Sequence, residues 1–102
     1  MSEVRMLIGK GTTGDGDVIR LPGRFKQFLA HLDGAADEET AVAEIYVTPD
    51  GDADKGVLIA TLTLSGAEPG AISPIVECLA ASYFARVVSI DGGAVWIVGV
   101  NE

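Results

Sequence analysis

Between Phe84 and Val100 the chain reads FARVVSIDGGAVWIVGV, two runs rich in β-branched residues on either side of Asp91-Gly92-Gly93. Glycine adopts the positive φ of a tight turn at little cost, so the sequence predicts a β-hairpin here, central to the fold. In that register Ile90 faces Val95, Val88 faces Ile97, Val87 faces Val98 and Ser89 faces Trp96. Apolar groups then occupy both faces of the ribbon, where a hairpin half-exposed to water would alternate. One face is expected to meet the chain's own helices, and the other needs cover from a further layer or from a second copy.

The rest of the chain is read in order. Val4 to Ile8 and Asp17 to Leu21 predict two short strands, pairing as a first hairpin across the glycine-rich linker Gly9 to Gly16. Phe25, Phe28, Leu29 and Leu32 stand at i, i+3, i+4 and i+7, the stripe of an amphipathic helix over 24–32 that stops at Gly34. Ala41 to Thr48 alternates with period two, and Val57 to Leu64 reads as its return strand. Ser73-Pro74 resembles an N-cap and first helical residue, opening a second helix with Ile72, Ile75, Val76, Leu79 and Tyr83 on its apolar arc. The expectation is a single α+β domain over residues 1–102, order ββαββαββ, with two helices on one face of an antiparallel sheet of hairpins.

Charge narrows the function classes. The chain carries fifteen acids against seven bases, a formal net charge of −8, which argues against nucleic acid as a partner because such binding relies on Lys and Arg at phosphates. Residues 27–54 hold eight acids and no base, leaving a basic protein surface open as a partner. No apolar run approaches the roughly 20 residues of a membrane span, and the start MSEVRMLIG is not a signal-peptide core, so a cytoplasmic location and no membrane partner are expected. Cys78 is the single cysteine, which rules out an intrachain disulfide.

Three constellations carry possible chemistry. Gly9-x-Gly11-x-x-Gly14 follows a predicted strand as a dinucleotide fingerprint does, but leads into Asp15-Gly16-Asp17, whose carboxylates repel phosphate, and no βαβ unit follows. Asp50, Asp52 and Asp54 repeat the opening spacing of a calcium loop, yet Lys55 occupies the position of its glycine and Thr61 that of its closing glutamate. His31 and Cys78 would form a nucleophile pair only if the fold united two separate helices. No metal site, cofactor or catalytic residue is therefore expected. The sequence reading is a non-enzymatic homo-oligomeric module that acts through protein contacts, with Val87, Trp96, Val98 and Tyr46 at the interface. The alternative is a small-ligand or cation-binding regulator using the Gly9 to Gly16 loop or the Asp50 to Asp54 loop.

Overall fold

A computed structural model describes residues 2–49, 51–78 and 82–102. Ten strands account for nearly all of its regular structure: β1 (Ser2–Lys10), β2 (Gly14–Asp15), β3 (Ile19–Arg20), β4 (Phe25–Asp33), β5 (Thr40–Val47), β6 (Val57–Ser65), β7 (Gly70–Ile72), β8 (Val76–Glu77), β9 (Ser82–Ile90) and β10 (Ala94–Asn101). Among the described residues the sole helical element is a 3₁₀ turn, Ala53–Lys55. The expected α+β class is thus incorrect, and both predicted helices fall away.

Sheet A runs β1-β10-β4-β7, with β8 also on β4, and sheet B runs β2-β9-β5-β6, with β3 also on β9. All pairs are antiparallel. Counting β2 with β3 and β7 with β8 as interrupted strands, successive strands distribute between the sheets as in a double-sheet jelly roll of eight strands. β5 and β6 pair as a hairpin, in keeping with their alternation, with Ala43 opposite Leu62.

The organising stretch does not form a hairpin. β9 pairs with β5 in sheet B and β10 with β1 and β4 in sheet A, so Asp91–Gly93 carries the chain from one sheet to the other. Gly93 takes φ +77°, and a Cβ there would stand 2.6 Å from the Asp33 carbonyl oxygen. The Asp91 carboxylate accepts from the Thr40 hydroxyl at 2.9 Å, fixing the turn to the start of β5. Splitting the two runs lets Tyr83, Ala85 and Val87 of β9 face Val95 and Ile97 of β10 across the core, which one ribbon could not do. The predicted first hairpin is undone in the same way: β1 lies in sheet A and β2 and β3 in sheet B.

β4 alternates strictly. Lys26, Phe28, Ala30 and Leu32 point inward, whereas Phe25, Leu29, His31 and Asp33 are exposed. The supposed helical stripe was the sum of two strand faces, Phe28 and Leu32 on one and Phe25 and Leu29 on the other. In the second predicted helix, Ser73 completes a strand edge instead of capping. Its N–H donates to the Phe28 carbonyl at 2.9 Å, and its Oγ accepts the Phe28 N–H at 3.0 Å. Pro74, with no N–H to donate, separates β7 from β8 at the sheet edge. Leu79 of that predicted helix lies outside the described residues.

Candidate functional site

The outer face of sheet A gathers large apolar side chains in water. Trp96 of β10 is 38% exposed, Leu29 and Phe25 of β4 are 41% and 42%, and Ile72 and Ile75 at the β7 edge are 59% and 67%. Strand register sets them side by side: Trp96 lies opposite His31, Val98 opposite Leu29, and Leu29 opposite Ile72. Half-buried Val98 and Val100 fill the middle of this row. A groove of about 290 Å³ opens at one end of the face, lined among others by Phe25, Leu29, Ile75 and Val100. The Trp96 indole lies over Gly9, where a Cβ would come within 3.1 Å of the ring, so the glycine allows β1 to pass close beneath it.

Of the residues expected at an interface, the fold brings together two. Trp96 and Val98 share this face. Val87 instead is 1% exposed and packs in the core, because β9 joined sheet B with that side inward. Tyr46 lies on the outer face of sheet B, away from Trp96. Sequence reasoning missed Leu29, Ile72, Ile75, Phe25 and Val100 as members of the exposed set. Part of the signal was present in Phe25–Asp33, where Phe25 and Leu29 stand at odd positions of a strand whose even positions Phe28, Ala30 and Leu32 already supply an apolar face.

The outer face of sheet B is built differently, with its polar groups engaged among themselves. Tyr46 and Phe84 stack at 5.0 Å with planes 7° apart, and the Arg86 guanidinium lies 4.8 Å from the Tyr46 ring centre. Arg86 Nε is 2.5 Å from Asp15 Oδ1, and this contact raises the guanidinium pKa further above its already high value. The Tyr46 hydroxyl donates to Glu44 Oε1 at 2.7 Å, which pushes the phenol upward with burial as the second cause. Phe84, though outward, is fully covered because the chain near Gly56 folds over it. Around Tyr46, Phe84 and Arg86 this face is stacked rings and paired charges, with exposed Leu58 opposite Tyr46 and Val88 at the β9 bulge as separate apolar groups beside them.

The glycine-rich segment after β1 leads into strand β2, with no helix N-terminus to hold a phosphate, and Asp15 within it is committed to Arg86. Asp50 lies outside the described residues. Asp52 accepts the Asp54 N–H at 2.9 Å, capping the 3₁₀ turn. Among the described residues no group of three His, Cys, Asp or Glu side chains is arranged to hold a metal ion. His31 stands on the outer face of β4 opposite Trp96, whereas the Cys78 N–H donates to the Arg24 carbonyl beyond the other end of that strand. Among the described residues, no helix is long and apolar enough to cross a membrane.

A jelly-roll sandwich with one apolar outer face is thus the class of protein that the fold and the site define. No protein-family model matches the sequence, and no curated protein matches it. Solved structures do resemble it. The Drosophila NLP-core, described in terms of pentamer formation and histone binding, superposes with a TM-score of 0.51 at 22% identity, over 98% of each chain. The SPBc2 prophage-derived protein YomS gives a TM-score of 0.55 at 14% identity, over 96% of this chain and 88% of that one. The K1 cleaved adhesin domain of Lys-gingipain from Porphyromonas gingivalis W83 gives 0.60 at 11%, over 98% and 73%. At such identities the likeness is one of fold.

Proposed function

We propose that the chain is a non-enzymatic assembly module whose outer face of sheet A packs against another copy of itself. The observation that carries this reading is the contiguous row Phe25, Leu29, Ile72, Trp96 and Val98, large apolar groups that water meets on one side of a folded sandwich. Scattered apolar residues need no cover; a contiguous patch that includes a tryptophan does. Oligomeric assembly also occurs on this fold, since the NLP-core is described as forming pentamers. The uncharged centre of the face lets two copies meet there although each carries a net charge of −8.

Native mass by light scattering on a sizing column tests the reading. Leu29 and Ile72 are exposed in the single chain, so Leu29→Asp and Ile72→Asp should lower the mass while shifting the melting temperature by no more than a few degrees. Val88→Asp, at an exposed bulge of β9 in the other sheet, should leave the mass unchanged. A wild-type monomer, or a mass indifferent to both sheet A substitutions, overturns it.

A further inference from the structure

The four edges of the sandwich are not alike. β1 carries Glu3, Arg5 and Lys10 and two register irregularities; β2 and β3 are two-residue pieces with Asp15 and Arg20; β7 and β8 are separated at Ser73-Pro74, with Glu77 on β8. Charges, bulges, prolines and short strands are the devices that keep sheet edges from pairing with other chains. β6 has nine residues, VLIATLTLS, with neither charge nor proline. It pairs with β5 on one side and with no described strand on the other. Its one irregularity lies near Ile59, so residues 60–65 form a regular edge.

Which backbone groups this edge presents follows from its end. The Ser65 N–H turns away from β5 and donates to the Glu68 carbonyl at 3.1 Å, while the Thr40 carbonyl opposite accepts from Asp91 on the far side of β5. In an antiparallel ladder the direction alternates by residue, so Leu62 and Leu64 bond to β5, and Thr61 and Thr63 present N–H and C=O outward. Both threonines are exposed, and the leucines between and after them are buried.

We infer that β6 is a second self-assembly contact, at which the β6 strands of two copies pair antiparallel about a twofold axis at Leu62. Thr61-Leu62-Thr63 reads the same in both directions. In that register Thr61 of one copy lies opposite the second copy's Thr63, and each exchanges N–H and C=O with the other. Threonine meets threonine on the outer face, and Ala60 meets the second copy's Leu64 on the inner. A second copy is the occupant because the edge is self-complementary in hydrogen bonding and side chains and has no charge with which to select a foreign peptide. The inference extends the assembly reading to another surface and is separable from it. A twofold contact at β6, added to a separate contact through sheet A, builds an assembly larger than either contact makes alone.

The test uses the full chain at low and high micromolar concentration. Backbone amides of Thr61 and Thr63 should show hydrogen-exchange protection that grows with concentration, although no described strand of their own chain bonds to them. Thr61→Lys/Thr63→Lys places like charges directly opposite across the twofold while leaving the β5 ladder intact; it should remove that protection and lower the native mass to that of the assembly held by sheet A alone. Leu29→Asp should leave the protection in place, so loss of the sheet A contact is distinguishable from loss of this one. Combined, the three substitutions should give a monomer. Unprotected Thr61 and Thr63 amides at every concentration, or a mass unchanged by the double lysine variant, overturn the inference.

Discussion

Tyr83 and Tyr46 stand on opposite faces of sheet B, yet both phenols are held in the neutral form. Burial, and then a hydrogen bond involving Cys78, pushes Tyr83 far up; for Tyr46 the bond donated to Glu44 is the main cause. In the unfolded chain both ionise near pH 10. A group whose folded pKa is raised contributes stability that is complete below its unfolded value and is lost as pH rises toward the folded one. Lys26 has the opposite sign. Its ammonium lies in the core against the Cys78 carbonyl and 5.4 Å from the Tyr83 ring centre. Burial lowers its pKa, with the charge of Cys78 opposing, so it adds stability as pH rises and nothing further above its ordinary value near 10.5. Beyond about pH 10.5 Lys26 no longer offsets the two tyrosines, whose contribution slopes downward. Urea midpoints measured from about pH 9 to 12 should therefore fall steeply in the upper half of that range, and Tyr83→Phe should flatten the fall. Phenolate absorbance rising at an ordinary midpoint while the fold is intact would contradict this.

At the scale of elements, the Ser73 hydroxyl lets an edge strand stop without leaving its neighbour unsatisfied. It accepts the buried Phe28 N–H while Pro74 ends the β7 ladder. Ser73→Ala removes the acceptor and leaves that N–H without it, at a cost of about 1–3 kcal/mol for an unmet buried donor. Thermal melts should show a drop of several degrees, and an unchanged midpoint would mean that the strand shifts to supply another acceptor. The same segment shows why the helices were misread. Ser-Pro followed by apolar residues is a common way to open a helix, but the proline here serves to interrupt an edge. In β4 the positions 25, 28, 29 and 32 satisfy helical spacing and also divide into two strand faces, and periodicity alone cannot separate these when both faces carry large apolar residues. Where one face was polar, as in β5 with Glu44 between Ala43 and Ile45, the strand was legible. Of the candidate interface, Trp96 and Val98 were legible as outward-facing neighbours on one strand. Val87 was not, because its orientation depended on which sheet β9 would join, a choice made by long-range pairing with β5. Tyr46 was separated from Trp96 by the same choice.

For the whole molecule, charge and apolar surface oppose each other in assembly. Each copy carries a net charge of −8, and the acids crowd residues 27–54, so copies repel at long range. The sheet A row and the β6 edge are mainly apolar or uncharged, so the contacts proposed there gain little from ion pairs. Screening should then favour association, since the repulsion spans distances beyond the Debye length of about 10 Å at 0.1 M salt whereas contact burial does not depend on it. Native mass at fixed protein concentration is expected to hold or rise between about 20 mM and 500 mM sodium chloride. Assembly through the acidic segment and the basic residues near the start of the chain would behave in the reverse way and dissociate as salt rises. A falling mass would therefore move the contact from the apolar face and the uncharged edge to the charged loops.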